Sequence, residues 1–382
     1  MSLNFQFAVI SDLHITLPHT LWDGPNRLHL VEVSIPVFEE ILARLAKLDL
    51  DFLLLPGDLT QHGESANHAW VADRLRQLPY PVYVIPGNHD VPTLHRDAQS
   101  TGFAEFPGFY REFGYAHTDR HYYTQEIHPG LRLIALNSNT FDADGNQVGV
   151  IDAAQMAWLV DILDRVQDEY VIVMIHHNVI EHMPGQMQDP LGKRYILQNA
   201  SELLGHLRGA GVQIVLTGHL HIQNIAQQGD IYDITTGSLV SYPHPYRVMR
   251  FETDDLNRQT LHVASDRVEA VPDWESLLEH TRNLMNDRSA AYMLQLLTQE
   301  PWCLSKREAV KLLPHLREFW ATFAAGDAKF DLPDLPEPLR GHFERFSSCQ
   351  QWDNHAVLRL ASPRKSTVHP ILFAPPYSSP AR

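Results

Sequence analysis

Along the first 220 residues, apolar positions alternate between two habits: short unbroken runs, and longer stretches where they recur every three or four positions. The runs are FQFAVISD from Phe5 to Asp12, DFLLLPGD at 51–58, PVYVIPGNHD at 81–90, LRLIALNS at 131–138, YVIVMIHH at 170–177 and VQIVLTGH at 212–219. Helical spacing separates them, near 33–48 (Val37, Ile41, Leu42, Leu45, Leu48), 65–77, 152–167 and 197–209. Near-continuous apolar strands alternating with amphipathic helices predict a sheet covered on both faces, and so an α/β layered domain. Beyond about 220 the segments HIQNIAQQ, GDIYDITTG and YRVMRFET are shorter and alternate more, as antiparallel strands do.

A second change falls near Val271. Residues 274–299 and 305–325 read as helices, with Pro314 expected to kink or break the second. The proline-punctuated FDLPDLPEPLR at 330–340 leads to a further helical stretch near 337–350. The domain reading is therefore 1–270 for the main domain, 271–360 for a helical C-terminal region acting as a cap or in dimerisation, and 361–382, rich in Pro and Ser, for a loosely ordered tail.

Composition narrows the class. With 44% hydrophobic and 20% charged residues, the 382-residue chain reads as soluble and globular. The N-terminus shows no secretory pattern, no apolar run reaches the roughly 18 residues of a membrane span, and Cys303 and Cys349 read as reduced packing thiols outside any metal-ligand spacing. A cytoplasmic protein is expected, with a homo-oligomer left open. The net charge of −16 lies entirely in residues 1–270, where 33 acidic residues face 17 basic ones; the remainder carries 13 of each. Such a surface disfavours stable binding of nucleic acid. It does not exclude a small phosphate, provided bound cations supply local positive charge.

The 23 histidines become informative through their placement. Five of the six apolar runs end in metal-binding residue types: Asp12-Leu13-His14, Gly57-Asp58, Gly87-Asn88-His89-Asp90, His176-His177 and Gly218-His219-Leu220-His221. Sites in α/β sheets assemble at the carboxyl ends of strands, so clusters spread over some 210 positions of sequence can converge there. Two metal ions about 3.5–4 Å apart can clamp a phosphoryl group and activate water, with one carboxylate bridging them. A mixed Asp/His/Asn donor set suits Mn, Fe or Zn better than Ca or Mg. If the backbone is extended, the i and i+2 side chains of Asp-x-His and His-x-His share a side. Glycines at 57, 87 and 218 permit close approach. Any one block alone reads equally as turn or capping chemistry; five strand ends together do not.

The ordered set of blocks resembles the calcineurin-like metallophosphoesterase superfamily over roughly residues 4–250. It looks closest to the bacterial cyclic-nucleotide phosphodiesterase and glycerophosphodiesterase branch; the MQDP loop, Asn199 and GSLVSYP at 237–243 support that branch. The resemblance implies a β-sandwich of two mixed sheets flanked by helices. It also implies two divalent or mixed-valence metal ions and hydrolysis of a phosphate ester by metal-activated water. Carried over by position, Asp12, His14 and His221 would bind one metal, Asn88, His176 and His219 the other, and Asp58 would bridge. His89 would stabilise the phosphoryl oxygens or protonate the leaving alkoxide, and Asp90 would orient His89 or a ligand. The implied substrate is a small phosphodiester such as a cyclic nucleotide, with a phosphomonoesterase or nucleotide pyrophosphatase as the alternative enzyme. A scaffold working by protein contact is the alternative of another class, although every ligand position is filled here.

The neighbouring residues carry weaker expectations. His177 is expected to face the substrate if His176 is the ligand. His62, His95, Arg96, His182, Lys193, Arg194 and Tyr242 read as solvated loop residues, and His117, His121 and His128 as surface residues.

Overall fold

The structure, a computed structural model, describes residues 3–22, 29–189, 192–348 and 353–361. Cys349, Pro190 of the MQDP loop and the tail segment 362–382 lie outside the described residues. The chain runs β1 (Phe5–Val9), α1 (Ser34–Leu45), β2 (Phe52–Leu55), α2 (Ser65–Leu75), β3 (Val82–Val84), α3 (Phe106–Phe109), β4 (Tyr123–His128) and β5 (Leu131–Ala135). It continues through β6 (Asn139–Phe141), β7 (Gln147–Gly149), α4 (Ala153–Arg165), β8 (Tyr170–Met174), α5 (Ala200–Gly209), β9 (Ile214–Thr217), β10 (Asn224–Gln228) and β11 (Ile231–Thr235). Then come β12 (Pro245–Thr253), β13 (Gln259–Arg267), α6 (Leu277–Thr298), α7 (Lys306–Leu316), α8 (Phe319–Ala324), α9 (Leu339–Glu344) and β14 (His355–Leu360).

Two six-stranded mixed sheets result, in the orders β14-β13-β12-β1-β2-β3 and β10-β11-β9-β8-β5-β4. The expected sandwich of two mixed sheets with flanking helices is the fold observed. Each sheet holds a parallel set: β1-β2-β3 at one end of the first, β5-β8-β9-β11 in the middle of the second. The period-two rule sorts their side chains. Leu133, Ala135, Ile172, Met174, Ile214 and Leu216 join the core shared with Phe7, Leu53 and Met249. The intervening Ile134, Val173 and Val215 face Leu159, Leu163, Leu203 and Leu207 of α4 and α5. That two-sided burial is why these strands read as unbroken apolar runs.

α6 to α9 enclose an aromatic-rich cluster built on Phe319, Phe323, Phe343 and Phe346. The same cluster takes in Met183, Leu220 and Ile222 from the sandwich loops. α7 begins at a capping box, Ser305 with Glu308. Pro314 does not break it; the helix runs to Leu316 and the chain turns at Arg317 and Glu318. Within the stretch expected to be helical, residues 355–360 instead form β14, the edge strand beside β13. Ala356, Leu358 and Leu360 point inward there while His355, Val357 and Arg359 point out.

Candidate metal centre

The strands stop short of the ligand blocks, and the blocks sit in the loops that follow. Asp12, His14, Asp58, His219 and His221 all adopt positive φ, between 46° and 67°. The expected i, i+2 alternation of extended backbone is therefore not what brings these side chains together. Each loop turns through the left-handed region, which Asp and His tolerate better than bulky residues and which non-glycine residues otherwise avoid. Such conformations persist because neighbours fix them. The amides of Asp12, His14 and Ile15 donate to the carbonyls of Gly57, Asp58 and Leu59 at 2.9–3.1 Å, so the first two loops zip together. Gly218 has no room for a side chain, since a Cβ there would collide with Ser11 and the Asp12 carboxylate. A Cβ on Gly87 would likewise strike the Asp58 carboxylate.

Two donor sets converge. Asp12, His14, Asp58 and His221 present ligand atoms within 4.8 Å of one another, and so do Asp58, His176 and His219. Asp58 belongs to both. In the first set His221 Nε2 lies 3.1 Å from Asp12 Oδ1 and 3.3 Å from His14 Nε2, with Asp58 Oδ2 3.8 Å from His14 Nε2. In the second, His176 Nε2 lies 3.4 Å from Asp58 Oδ2 and 3.1 Å from Asn88 Oδ1. His176 Nδ1 donates to the Pro56 carbonyl at 2.8 Å, which fixes the tautomer and leaves the Nε2 lone pair for the cluster. Imidazole and carboxylate lone pairs crowded this closely, with His14 Nδ1 buried and unpartnered, fit cations in the middle better than they fit one another.

The electrostatics agree. Burial, then the neighbouring His89 and His29 rings, hold His14 well below the usual imidazole range; burial, then His177 and His176, do the same for His219. Neutral imidazoles are the metal-binding form. Burial alone would raise Asp58, but His176 and His89 outweigh it and keep the carboxylate well below its ordinary range. Burial likewise opposes charge on His176, yet the Asp58 carboxylate prevails and raises it to about 9. Asp58 thus draws positive charge to this spot, and a divalent ion there would compete with the proton on His176.

His89 and Asp90 part company. The His89 amide donates to Asp58 Oδ1 at 2.7 Å, and its ring Nδ1 donates to the Gln61 carbonyl at 2.7 Å. Nε2 remains the nitrogen free to exchange a proton, with the ring edge-on to His14 at 4.6 Å. Asp90 is fully buried, and of the two expectations for it, orienting His89 or orienting a ligand, its hydrogen bonds reach the loop of the ligand Asp58. Its carboxylate accepts from the amides of Leu59, Thr60 and Gly87 at 2.8–3.0 Å, and from the Thr60 hydroxyl. It clamps the Asp58 loop to the Gly87 loop. Burial, then the nearby Asp58 carboxylate, push Asp90 up to about 7 against those hydrogen bonds.

Other residues differ from the sequence reading. His177 is enclosed and does not face open space: Ser138 pairs with its Nδ1 at 2.7 Å, its ring lies 4.3 Å from His219, and burial pushes it down to about 3. His182 is buried, with Nδ1 2.7 Å from Asn224 Oδ1 and Nε2 3.3 Å from Asp233. His121 is half-buried, stacked 3.8 Å from Phe103 and bonded to its carbonyl. His128 is half-buried, its ring 5.8 Å from that of Phe5. His95, Arg96, His117 and Lys193 are exposed as expected.

Three contributors carried no sequence signal. His29 forms a third close group with His14 and His221. Gln147, on the β6–β7 hairpin, donates to the carbonyls of Asn88 and Val91 at 2.9 Å and supports that loop. Tyr195 sets its ring 5.1 Å from His219, next to the Arg194 carbonyl at 3.3 Å from His219 Nε2.

Asp, His and Asn side chains gathered in the loops at the strand ends of a two-sheet sandwich make a candidate metal centre. The chain belongs to the calcineurin-like phosphoesterase family, whose model matches residues 5–223. It is similar to a probable glycerophosphodiester phosphodiesterase of Arcobacter nitrofigilis, 26% identical over 49% of this chain and 63% of that protein, so the match spans less than two thirds of that relative. It is also similar to a 3′,5′-cyclic-nucleotide phosphodiesterase of Nostoc sp., 25% identical over 58% of this chain and 76% of that one. Among solved structures it is similar to a dimetal phosphatase from Danio rerio, with a TM-score of 0.48 and 16% identity over 67% of this chain and 95% of that chain. Among the described residues no helix is long and apolar enough to cross a membrane.

Proposed function

We propose that the protein hydrolyses a small phosphodiester, a cyclic nucleotide in the first instance, at a dinuclear metal centre. The observation that carries this reading is the sharing of Asp58 between two donor sets, with Asp12, His14 and His221 on one side and Asn88, His176 and His219 on the other. Two divalent ions in those sets, of the Mn, Fe or Zn kind, would polarise the phosphoryl oxygens and a water molecule. The chain's own residues do the rest. Asp58 and the buried imidazoles fix the spacing of the two sets. His89, tied by its amide to Asp58 and by Nδ1 to Gln61, holds Nε2 where a proton can pass to the departing alkoxide. The acidic surface of residues 1–270 favours cation uptake and a compact substrate over a long polyanion.

The names of the relatives from Nostoc sp. and Arcobacter nitrofigilis support a diester over a monoester. The test is a turnover assay of the purified protein with Mn(II) against cyclic nucleotides, glycerophosphodiesters and simple monoesters. Highest kcat/KM on a cyclic nucleotide is the expected result. Preference for monoesters would overturn the diester assignment, and no turnover with metal bound would point to the scaffold reading.

A further inference from the structure

Tryptophan is rarely left open to water without a reason, because its ring carries a large apolar area. Trp22 is 59% exposed, and it stands close to the metal centre. Its indole lies 5.0 Å from the His62 ring, and the His62 ring lies 5.9 Å from that of His89. Three rings thus lead outward from the proton-exchanging histidine to solvent. Their supports are firm. Just before Trp22, Leu17 and Thr20 both donate to Asn67 Oδ1 on α2, at 3.1 and 2.9 Å. The His62 amide donates to Glu64 and its carbonyl accepts from Ser100, at 2.9 and 2.7 Å.

We infer that the exposed Trp22 indole, braced edge-on against His62 at 70°, forms a stacking platform for the nucleobase of a nucleotide substrate. This rests on the reading of the centre as a phosphodiesterase. The phosphate must sit against the metal ligands, and the oxygen that leaves must sit at His89, because that is where its proton comes from. Whatever the leaving oxygen carries is therefore directed along the His89 side, toward His62 and Trp22. A glycerol or ethanolamine group offers these rings no flat partner. A purine or pyrimidine does, and every base presents a π-face, so the platform selects nucleotides as a class without choosing among bases.

The test compares 3′,5′-cyclic AMP with glycerophosphoethanolamine, which bears no ring, on the full-length protein with Mn(II). Trp22→Ala should lower the ratio of the two kcat/KM values by about 5- to 150-fold, the scale of losing one aromatic–base stack. Trp22→Phe should restore most of that ratio. An unchanged ratio in Trp22→Ala, or a Phe variant as poor as the Ala variant, overturns the platform. Fluorescence quenching by 5′-AMP decides the matter without turnover. Quenching by AMP but not by glycerol phosphate, lost in Trp22→Ala, supports the platform; equal quenching of both proteins overturns it. If no diester is turned over while the quench behaves as expected, it is the function reading that fails and not the platform.

Discussion

The centre has a floor and a rim, and they are built by different means. Asp12, His14, Asp58, Asp90 and His176 are fully enclosed at the strand ends, locked by backbone hydrogen bonds between loops. Asn88, His89, His219 and His221 are only partly covered, and outside them lie His29, His62 and the exposed Trp22. The floor sets positions and charge, where an error of an ångström unmakes a metal site. The rim is open to solvent, where a substrate would arrive. Substitutions should therefore fail differently: variants of the ligands, whether enclosed or partly covered, through metal content or folding, and variants of His89, His62 or Trp22 through kinetics in a protein that stays whole.

The largest effect is expected at Asp58, which both donor sets share. Asp58→Ala should empty both metal positions and reduce turnover to background, more than the loss of any one other ligand. Elemental analysis finding two tightly held metals in that variant would remove the bridging role and with it the idea of a common floor. On the rim, His89→Ala should lower kcat by roughly 10²–10⁴-fold with metal content near that of the wild type. Diesters with very good leaving groups should suffer less; equal losses across leaving groups would make His89 an electrostatic partner of the phosphoryl oxygens.

Asp90 sharpens the comparison, since it is buried in the floor yet absent from both donor sets. Asp90→Ala strands three backbone amides and should destabilise the fold by about 3 kcal/mol or more, measured by urea unfolding. Full stability combined with lost activity would show that it acts chemically and not as a clamp. The smallest effect concerns His244, equally buried but far from the metal loops in role. It links the sandwich to α6 through Nδ1 to the Leu239 carbonyl and Nε2 to Thr281 Oγ1. Burial pushes it down to about 4. Its neutral form stabilises the fold fully above pH 6.5, and that contribution is lost as pH falls toward and through 4, because the unfolded chain takes up the proton first. Between pH 7 and 5.5 the wild type should lose about 1 kcal/mol more than His244→Gln. Parallel losses in the two proteins would mean that this histidine does not report burial.

The sequence makes the ligand blocks more legible than what surrounds them. Unbroken apolar runs mark the buried parallel strands, and the Asp, His and Asn blocks that follow them are the loops that converge. What the pattern hides is backbone shape. Nothing in Asp12-Leu13-His14 distinguishes an extended strand from two left-handed turns, because period-two reasoning assumes the conformation it seeks to detect. Asp90 leaves two readings open for a related reason: its partners are amides, which have no side-chain signature. His29 sits in no motif, yet its ring lies 4.7 Å from that of His14 and 4.5 Å from that of His221. β14 does carry an alternating pattern in HAVLRL, but six residues between helical and proline-rich neighbours give it little weight. Leu220, between two histidines, reads as a spacer; in the structure it is the apolar anchor by which the C-terminal helices hold the His219–His221 loop.

The pairing of β14 with β13 changes what kind of object the helical region is. Gln259 stands opposite Leu360 and Ala264 opposite His355, in antiparallel register. The chain leaves the sheet after 267 and re-enters one strand over at 355, so residues 268–354 are, to the sheet, the loop of a single hairpin. The helices are a guest and the hairpin their host. Ending the chain near 270 would remove host and guest together and leave β13 as a bare edge open to strand addition by another copy. Excising the guest alone, with a two-residue turn closing β13 onto β14, would keep the strand pairing while baring Met183, Leu220 and Ile222, together with the part of the main core that Val268, Val271 and Leu277 cover.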